Sequence, residues 1–279
     1  LEWWSGFNVD SLHLRDVEIY DGSIFVQSIA SPGVIAQCKE CCEKPETTTN
    51  WNNRLFITHE DVFMDGMDFW EDGQGLAYGD PFDNRLYVSK TKNKGVAWER
   101  LDRFTVPEGL EGEAGFAASG TGVVCLGDGV AYIAWGGAQK ARVFKTGDYG
   151  TTWQVMETPI AQGKAGKGIY CMAWKNENEG VIAGGNWENP DGDSCYAFTK
   201  DGGTTWAPGT GGSGYRSGIC HVEKDIYMSV GTKGTDISYD GGATWTQVSE
   251  DNLNAIKADS TSRKIFAVGS YGRGVMIDY

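Results

Sequence analysis

Thr199-Lys-Asp-Gly-Gly-Thr-Thr-Trp206 recurs in the chain with hydroxyl, Asp, Gly and Trp in the same register, as Thr146-Gly-Asp-Tyr-Gly-Thr-Thr-Trp153 and Ser238-Tyr-Asp-Gly-Gly-Ala-Thr-Trp245. A fourth copy, Thr91-Lys-Asn-Lys-Gly-Val-Ala-Trp98, keeps the frame with Asn in place of Asp. The pattern is that of an Asp box and has a mechanical reading. The side chain of Asp148, Asp201, Asp240 or Asn93 accepts backbone N–H groups inside a tight turn. Gly150, Gly203, Gly242 and Gly95 supply a positive φ that other residues resist. Trp98, Trp153, Trp206 and Trp245 then enter the next strand and wedge between neighbouring sheets. Such a turn is a hairpin staple, and its residues are used up in holding the turn.

Working outward, the tryptophans at 51, 98, 153, 206 and 245 recur every 40 to 55 residues or so, the length of one four-stranded propeller blade with variable loops. Ahead of the turns lie strand-like runs that end in glycine, such as Val181-Ile-Ala-Gly-Gly, Ile226-Tyr-Met-Ser-Val-Gly and Ile265-Phe-Ala-Val-Gly. Forty glycines against seven prolines, and 40% apolar residues, fit many short strands joined by tight turns around a real core. The fold expected is therefore all-β, a single-domain β-propeller over 1–279 with about six blades. They fall near 11–57, 58–104, 111–156, 165–208, 214–248 and 252–279, the last completed by a strand from 1–7 that carries Trp3 and Trp4. Seven blades is the alternative.

A net charge of −14 repels phosphate backbones and anionic lipid headgroups, so nucleic acid is not an expected partner. No apolar run approaches the roughly 18 residues that cross a bilayer. Seven cysteines exclude a complete disulfide framework. The Cys38-Lys-Glu-Cys-Cys42 cluster leaves open a local disulfide, reduced thiols or a zinc site lacking a second pair. Cys125, Cys171 and Cys220 read as small buried hydrophobes.

The boxes, with Leu14-Arg-Asp-Val17, Met67-Asp-Phe-Trp70, Gly79-Asp-Pro81, Glu111-Gly-Glu-Ala-Gly-Phe-Ala-Ala-Ser119, Glu157-Thr-Pro-Ile160 and Gly214-Tyr-Arg-Ser217, resemble the BNR/Asp-box (WD40/YVTN/BNR-like) repeat proteins of Bacteroidetes type. Those proteins are often labelled oxidoreductases and are similar to the photosystem II stability and assembly factor family, a propeller that serves as a binding platform. The resemblance spans nearly the whole chain and implies a fold more than an activity. Two departures are visible: an additional N-terminal repeat usual in the family is not seen, and the box of the first blade has decayed around Thr47 to Trp51. The pattern Gly209-x-Gly211-x-x-Gly214 links two β-blades and does not open a helix in a βαβ unit, so neither a nicotinamide nor a flavin is expected, and no cofactor is assigned.

In a propeller the inner strands begin, and the turns between second and third strands rise, on the face opposite the boxes. That face carries Arg15 with Asp16, Asp65 with Asp68, Glu113, Lys167 with Tyr170, and Tyr215 with Arg216 at the strand starts. The turns add Asp80, Asn186, Lys233, and Tyr271 with Arg273, and Arg142 opens a third strand nearby. Arg15, Arg216 and Arg273 suit a carboxylate or sugar, because a guanidinium fork matches a planar acid. The competing reading pairs these charges with one another across channel water. The expected function is a non-catalytic scaffold, monomeric and periplasmic or extracellular, that engages a protein or glycan partner through this face. The alternative is a sialidase-like or other glycoside hydrolase, with Tyr215 and Glu113 as candidates for its chemistry. An acidic loop with Glu188, Asp191 and Asp193 is a weak calcium candidate, shorter than an EF-hand loop.

Overall fold

The computed structural model describes residues 12–39, 41, 43, 51–82 and 85–279, and these form a six-bladed β-propeller. Blade 1 comprises β1 (Leu14–Tyr20), β2 (Ser23–Ser28), β3 (Gly33–Cys38) and β4 (Trp51–Ile57). Blade 2 comprises β5 (Met64–Phe69), β6 (Gly75–Phe82), β7 (Arg85–Thr91) and β8 (Glu99–Arg100). Blade 3 comprises β9 (Val123–Leu126), β10 (Val130–Trp135), β11 (Arg142–Thr146) and β12 (Gln154–Glu157). Blade 4 comprises β13 (Lys167–Trp174), β14 (Gly180–Asn186), β15 (Tyr196–Thr199) and β16 (Ala207–Pro208). A two-residue strand β17 (Thr210–Gly211) lies parallel to the outer strand of blade 5, which runs β18 (Gly218–Glu223), β19 (Ile226–Gly231), β20 (Gly234–Ser238) and β21 (Thr244–Ser249). Blade 6 shows β22 (Ala255–Asp259), β23 (Lys264–Val268) and β24 (Gly274–Asp278) among the described residues. The expected closing strand at 1–7 lies outside them. Within each blade successive strands pair antiparallel, the first innermost.

The repeated turns fold alike because one hydroxyl and one acid or amide satisfy the backbone. In blade 4 the Thr199 hydroxyl donates to Asp201 Oδ1 at 2.8 Å and accepts from Gly203 N at 2.9 Å. Asp201 also accepts from the N–H and hydroxyl of Thr205, at 2.9 and 2.6 Å. Asp148 and Asp240 repeat both contacts, while Asn93 keeps only the backbone one, from Ala97. The glycines stand at φ +74° to +94°, and the residue before each is also left-handed, including Lys94 and Tyr149 at +58°.

Each tryptophan lands in the seam between its own blade and the one before. Trp98 packs with Phe25, Ile35 and Met67, Trp153 with Leu76 and Ile133, Trp206 with Tyr132 and Ile182, and Trp245 with Ile219 and Tyr196. A fifth apolar cluster, including Val230, Ile256 and Ile265, joins blades 5 and 6. Among the described residues no cluster spans blades 6 and 1. Val26, Val34 and Ala36 form a patch within blade 1 alone, and Val17, Ile19, Phe266 and Met276 stand 46–68% exposed. Lys257 of β22 reaches Glu18 of β1 across this seam at 3.3 Å.

The glycines that close the second strands do a different job from those in the turns. A Cβ on Gly184 would come within 2.0 Å of the Gly168 carbonyl, and one on Gly231 within 2.2 Å of the Tyr215 carbonyl. What these positions exclude is a side chain, because the start of an inner strand crosses directly over them. Cys38 and Cys41 form a disulfide at the end of β3, which decides between the three states that the sequence left open for them, and Cys42 lies outside the described residues. Cys171, Cys195 and Cys220 are buried and Cys125 is half-buried.

Candidate functional site

The starts of the inner strands and the turns between second and third strands meet on one face, opposite the stapled hairpins, and enclose a cavity of about 600 Å³ at the channel mouth. Arg15, Asp80 and Tyr215 line it. Burial has recruited several other predicted residues to structural work. Arg216 is fully buried: it donates to the carbonyls of Gly214 and Gly234 and to the Ser213 hydroxyl, and lies 3.4 Å from Asp236. Asp236 in turn accepts from Ser213 N and from the Tyr196 hydroxyl. The expectation that Arg216 faces a ligand is therefore corrected, since every part of its fork is engaged inside blade 5. Glu113 and Arg142 form a bidentate pair with the Glu113 side chain inaccessible, so neither offers a free charge. Arg273 holds Asp251 at 2.6 Å, and Tyr271 projects wholly into solvent at φ +61°. The three-arginine cluster thus reduces to Arg15.

Arg15 is exposed and oriented by two acceptors, donating from Nε to His13 Nε2 at 3.1 Å and from Nη1 to the Ala117 carbonyl at 3.3 Å. Asp80 accepts from Gly115 N at 2.8 Å and so ties the wall Ala114–Ala118 to blade 2. Behind it sits Asp65, with no accessible surface and neither carboxyl oxygen in a well-formed hydrogen bond. Burial, then the charge of Asp80, push Asp65 well above the usual carboxylate range. Burial raises Asp80 to about 6 against the pull of the Gly115 N–H. Both carboxyls are thus held towards their protonated forms.

Deeper in the channel Asp16 accepts from Met67 N at 2.7 Å, and Asp68 from Cys125 N at 2.7 Å. These acids sew the inner strands of blades 1, 2 and 3 together. Burial and the nearby Glu18 raise Asp16 to about 8 and Asp68 to about 7.

The aromatic side of the cavity joins Tyr170 and Tyr215, both singled out in the sequence, to Phe116 and Trp187, which charge-reading missed. Phe116 stacks on Tyr170 with ring centres 3.9 Å apart, Tyr170 meets Tyr215 edge-on at 4.8 Å, and Trp187 lies 59% exposed at the rim. Trp187 opens the acidic loop singled out for calcium, where attention to carboxylates hid the indole. That loop gathers no cation site: Asp191 pairs with Lys233 at 2.8 Å, and no group of three or more His, Cys, Asp or Glu among the described residues is arranged to hold a metal. Lys233 borders a second, polar cleft between blades 4 and 5. Asn186 turns inward to cap the Glu188 N–H at 3.1 Å, and Lys167 is half-buried at the start of β13.

No family model and no curated protein sequence matches the chain. Solved structures share its fold. A GH74 xyloglucanase from Xanthomonas campestris aligns over 93% of this chain with a TM-score of 0.63 and 11% identity, and the chain spans 44% of that enzyme's length. YCF48 from Cyanidioschyzon merolae aligns over 95% of both chains, with a TM-score of 0.51 and 12% identity. U3-55K aligns over 94% of this chain and 91% of its own, with a TM-score of 0.57 and 15% identity. The fold is thus one that a hydrolase and other proteins share. Among the described residues no helix is long and apolar enough to cross a membrane.

Proposed function

We propose that this propeller is a non-catalytic binding scaffold that engages a protein or carbohydrate partner through its channel face, in the manner of the assembly-factor propellers that its sequence resembles. The observation that carries the reading is the channel-mouth cavity. It is about 600 Å³, a size that takes a side chain or a short oligomer, and it combines aromatic rings with one oriented guanidinium and one carboxyl. An indole left 59% exposed beside such a cavity is the kind of residue that dominates recognition surfaces. Likeness to YCF48 and U3-55K, beside a xyloglucanase, is compatible with this reading and with a hydrolase alike. A periplasmic or extracellular setting suits the Cys38–Cys41 disulfide.

The second reading, a glycoside hydrolase, draws on Asp65 and Asp80, two carboxyls with raised protonation at the cavity. Its difficulty is geometric. Hydrolases hold their carboxyl pair about 5 Å or more apart, astride the scissile bond. Here one carboxyl is sealed behind the other, and with a single free arginine the case for a sialidase is weaker still. The test is capture of partners from an extract of the source cells by wild type and by Arg15→Ala with Trp187→Ala, beside turnover of an aryl-glycoside panel that includes a sialoside. Loss of specific captured species in the variant, with no turnover, is expected. Turnover abolished by Asp80→Asn would install the hydrolase instead.

A further inference from the structure

Thr232 borders both the channel-mouth cavity and the cleft between blades 4 and 5, so the two spaces adjoin there as the inner and outer arms of one grooved face. The inner arm, about 600 Å³, is walled by Phe116, Tyr170, Tyr215 and Trp187. The outer arm, about 840 Å³, has a different chemistry. Its floor is the backbone of Gly209–Gly214, kept bare because a Cβ on Gly214 would meet the Pro190 carbonyl at 1.9 Å and one on Gly212 the Asp236 carboxylate at 2.7 Å. Its walls carry Asp191, Asp193 and Glu250 against one ammonium, Lys233, already held by Asp191. Asp193 and Glu250 have no cation of their own among the ion pairs of the described residues.

We propose that this groove takes an extended, basic segment of a partner protein, with Lys or Arg side chains set against Asp193 and Glu250 in the outer arm and the aromatic wall receiving the residues that enter the channel mouth. The inference rests on the scaffold reading above and narrows its partner to protein. Three arguments favour this occupant. A cation gains from both arms, by attraction to the carboxylates and by contact with the exposed Trp187 face. A neutral glycan hydrogen-bonds to carboxylates through its hydroxyls but gains no charge pairing from them, and an anionic one is repelled by them. Two adjoining arms, the outer floored by glycine-rich backbone, suit a chain that lies extended across them, and a net charge of −14 steers basic segments towards the molecule.

The test uses the whole chain and a fluorescein-labelled octapeptide of alternating Lys and Ser, followed by fluorescence anisotropy at low and physiological salt. Asp193→Asn with Glu250→Gln is expected to weaken binding about fivefold and to reduce its salt dependence. Trp187→Ala is expected to weaken it with little change in salt dependence. Asp128→Asn with Glu177→Gln, exposed acids on the opposite rim, should leave it unchanged. Equal loss from that control pair, equal binding of a Glu–Ser octapeptide, or binding of cellohexaose where the Lys–Ser peptide stays free would each overturn the proposal. Partner capture separates the two readings. If Arg15→Ala with Trp187→Ala abolishes capture while Asp193→Asn with Glu250→Gln preserves it, the scaffold stands and the basic-segment inference falls. If capture survives both pairs, the scaffold reading falls as well.

Discussion

At Arg216 the guanidinium is, among the described residues, the only cation paired with the inaccessible Asp236. Replacing it with Met would leave that carboxylate with the Tyr196 and Ser213 hydroxyls but no counter-charge, and stranding one member of a buried pair costs about 3–5 kcal/mol. Arg216→Met should therefore show a large drop in the midpoint of chemical denaturation. Arg216→Met with Asp236→Leu should recover part of it, because the stranded charge is gone. If Arg216→Met leaves stability unchanged and abolishes partner capture instead, Arg216 belongs to the ligand after all. The residue illustrates what a sequence can and cannot reveal. Its place at the start of an inner strand was legible in Gly214-Tyr-Arg-Ser217, but whether the side chain leans into the channel or folds beneath blade 5 depends on Ser213, Gly234 and Asp236, which come from other turns and strands. Charge alone drew attention to Arg216 and passed over Phe116 and Trp187, whose apolar rings gave no comparable signal.

At the level of strands and turns, most of the architecture was readable, because four of the six blades repeat a local device. The hydroxyl–acid–glycine–tryptophan frame encodes its turn within eight residues, so no distant contact is needed to recognise it. The terminal glycines of the second strands were also recognised, but as turn residues. Their actual constraint is the carbonyl of a neighbouring strand, which no local pattern reveals. This distinction predicts different substitution behaviour. Gly184→Ala forces a methyl group against the Gly168 carbonyl, 2.0 Å away, and overpacking of this kind costs about 1–3 kcal/mol or more. Gly147→Ala, at a position with open space around it, should be nearly neutral in the same thermal melt. Equal melting temperatures for the two variants would remove the close-approach account. The blade without a complete turn shows the limit of legibility: blade 6 has no stapled hairpin to announce its fourth strand, and the proposed donor at 1–7 lies outside the described residues.

For the molecule as a whole, two populations of carboxylates pull stability in opposite directions with pH. Asp148, Asp201 and Asp240, held by hydroxyl and amide donors in their turns, titrate below the ordinary 3.8. Their contribution is present above that value and is lost as the pH falls through their folded pKa. Asp16, Asp68 and Asp80 behave oppositely. In the folded chain they keep their protons up to about 8, 7 and 6, whereas unfolded they ionise near 3.8. Over that interval the folded state binds more protons than the unfolded one, so stability declines as pH rises. Glu18, itself raised by burial, and Lys257 face the same channel and belong to the same titration. The melting temperature is therefore expected to be highest in the weakly acidic range, above 3.8 and below about 6, and to fall towards pH 8. Asp16→Asn with Asp68→Asn should flatten the alkaline side of that profile. A profile that rises towards pH 8 would contradict the raised protonation of the channel carboxyls.

The joint between the first and last blades, which carries no apolar cluster among the described residues, gives the ring a direction that its repeats do not have. Five joints are sealed by interlocking hydrocarbon, whereas among the described residues the sixth is spanned by the Lys257–Glu18 ion pair, its ammonium exposed and its carboxylate largely buried. Strain entering such a ring is expected to be relieved first at that joint. The arc from blade 2 to blade 5, joined throughout by apolar seams, carries the groove walls of blades 4 and 5.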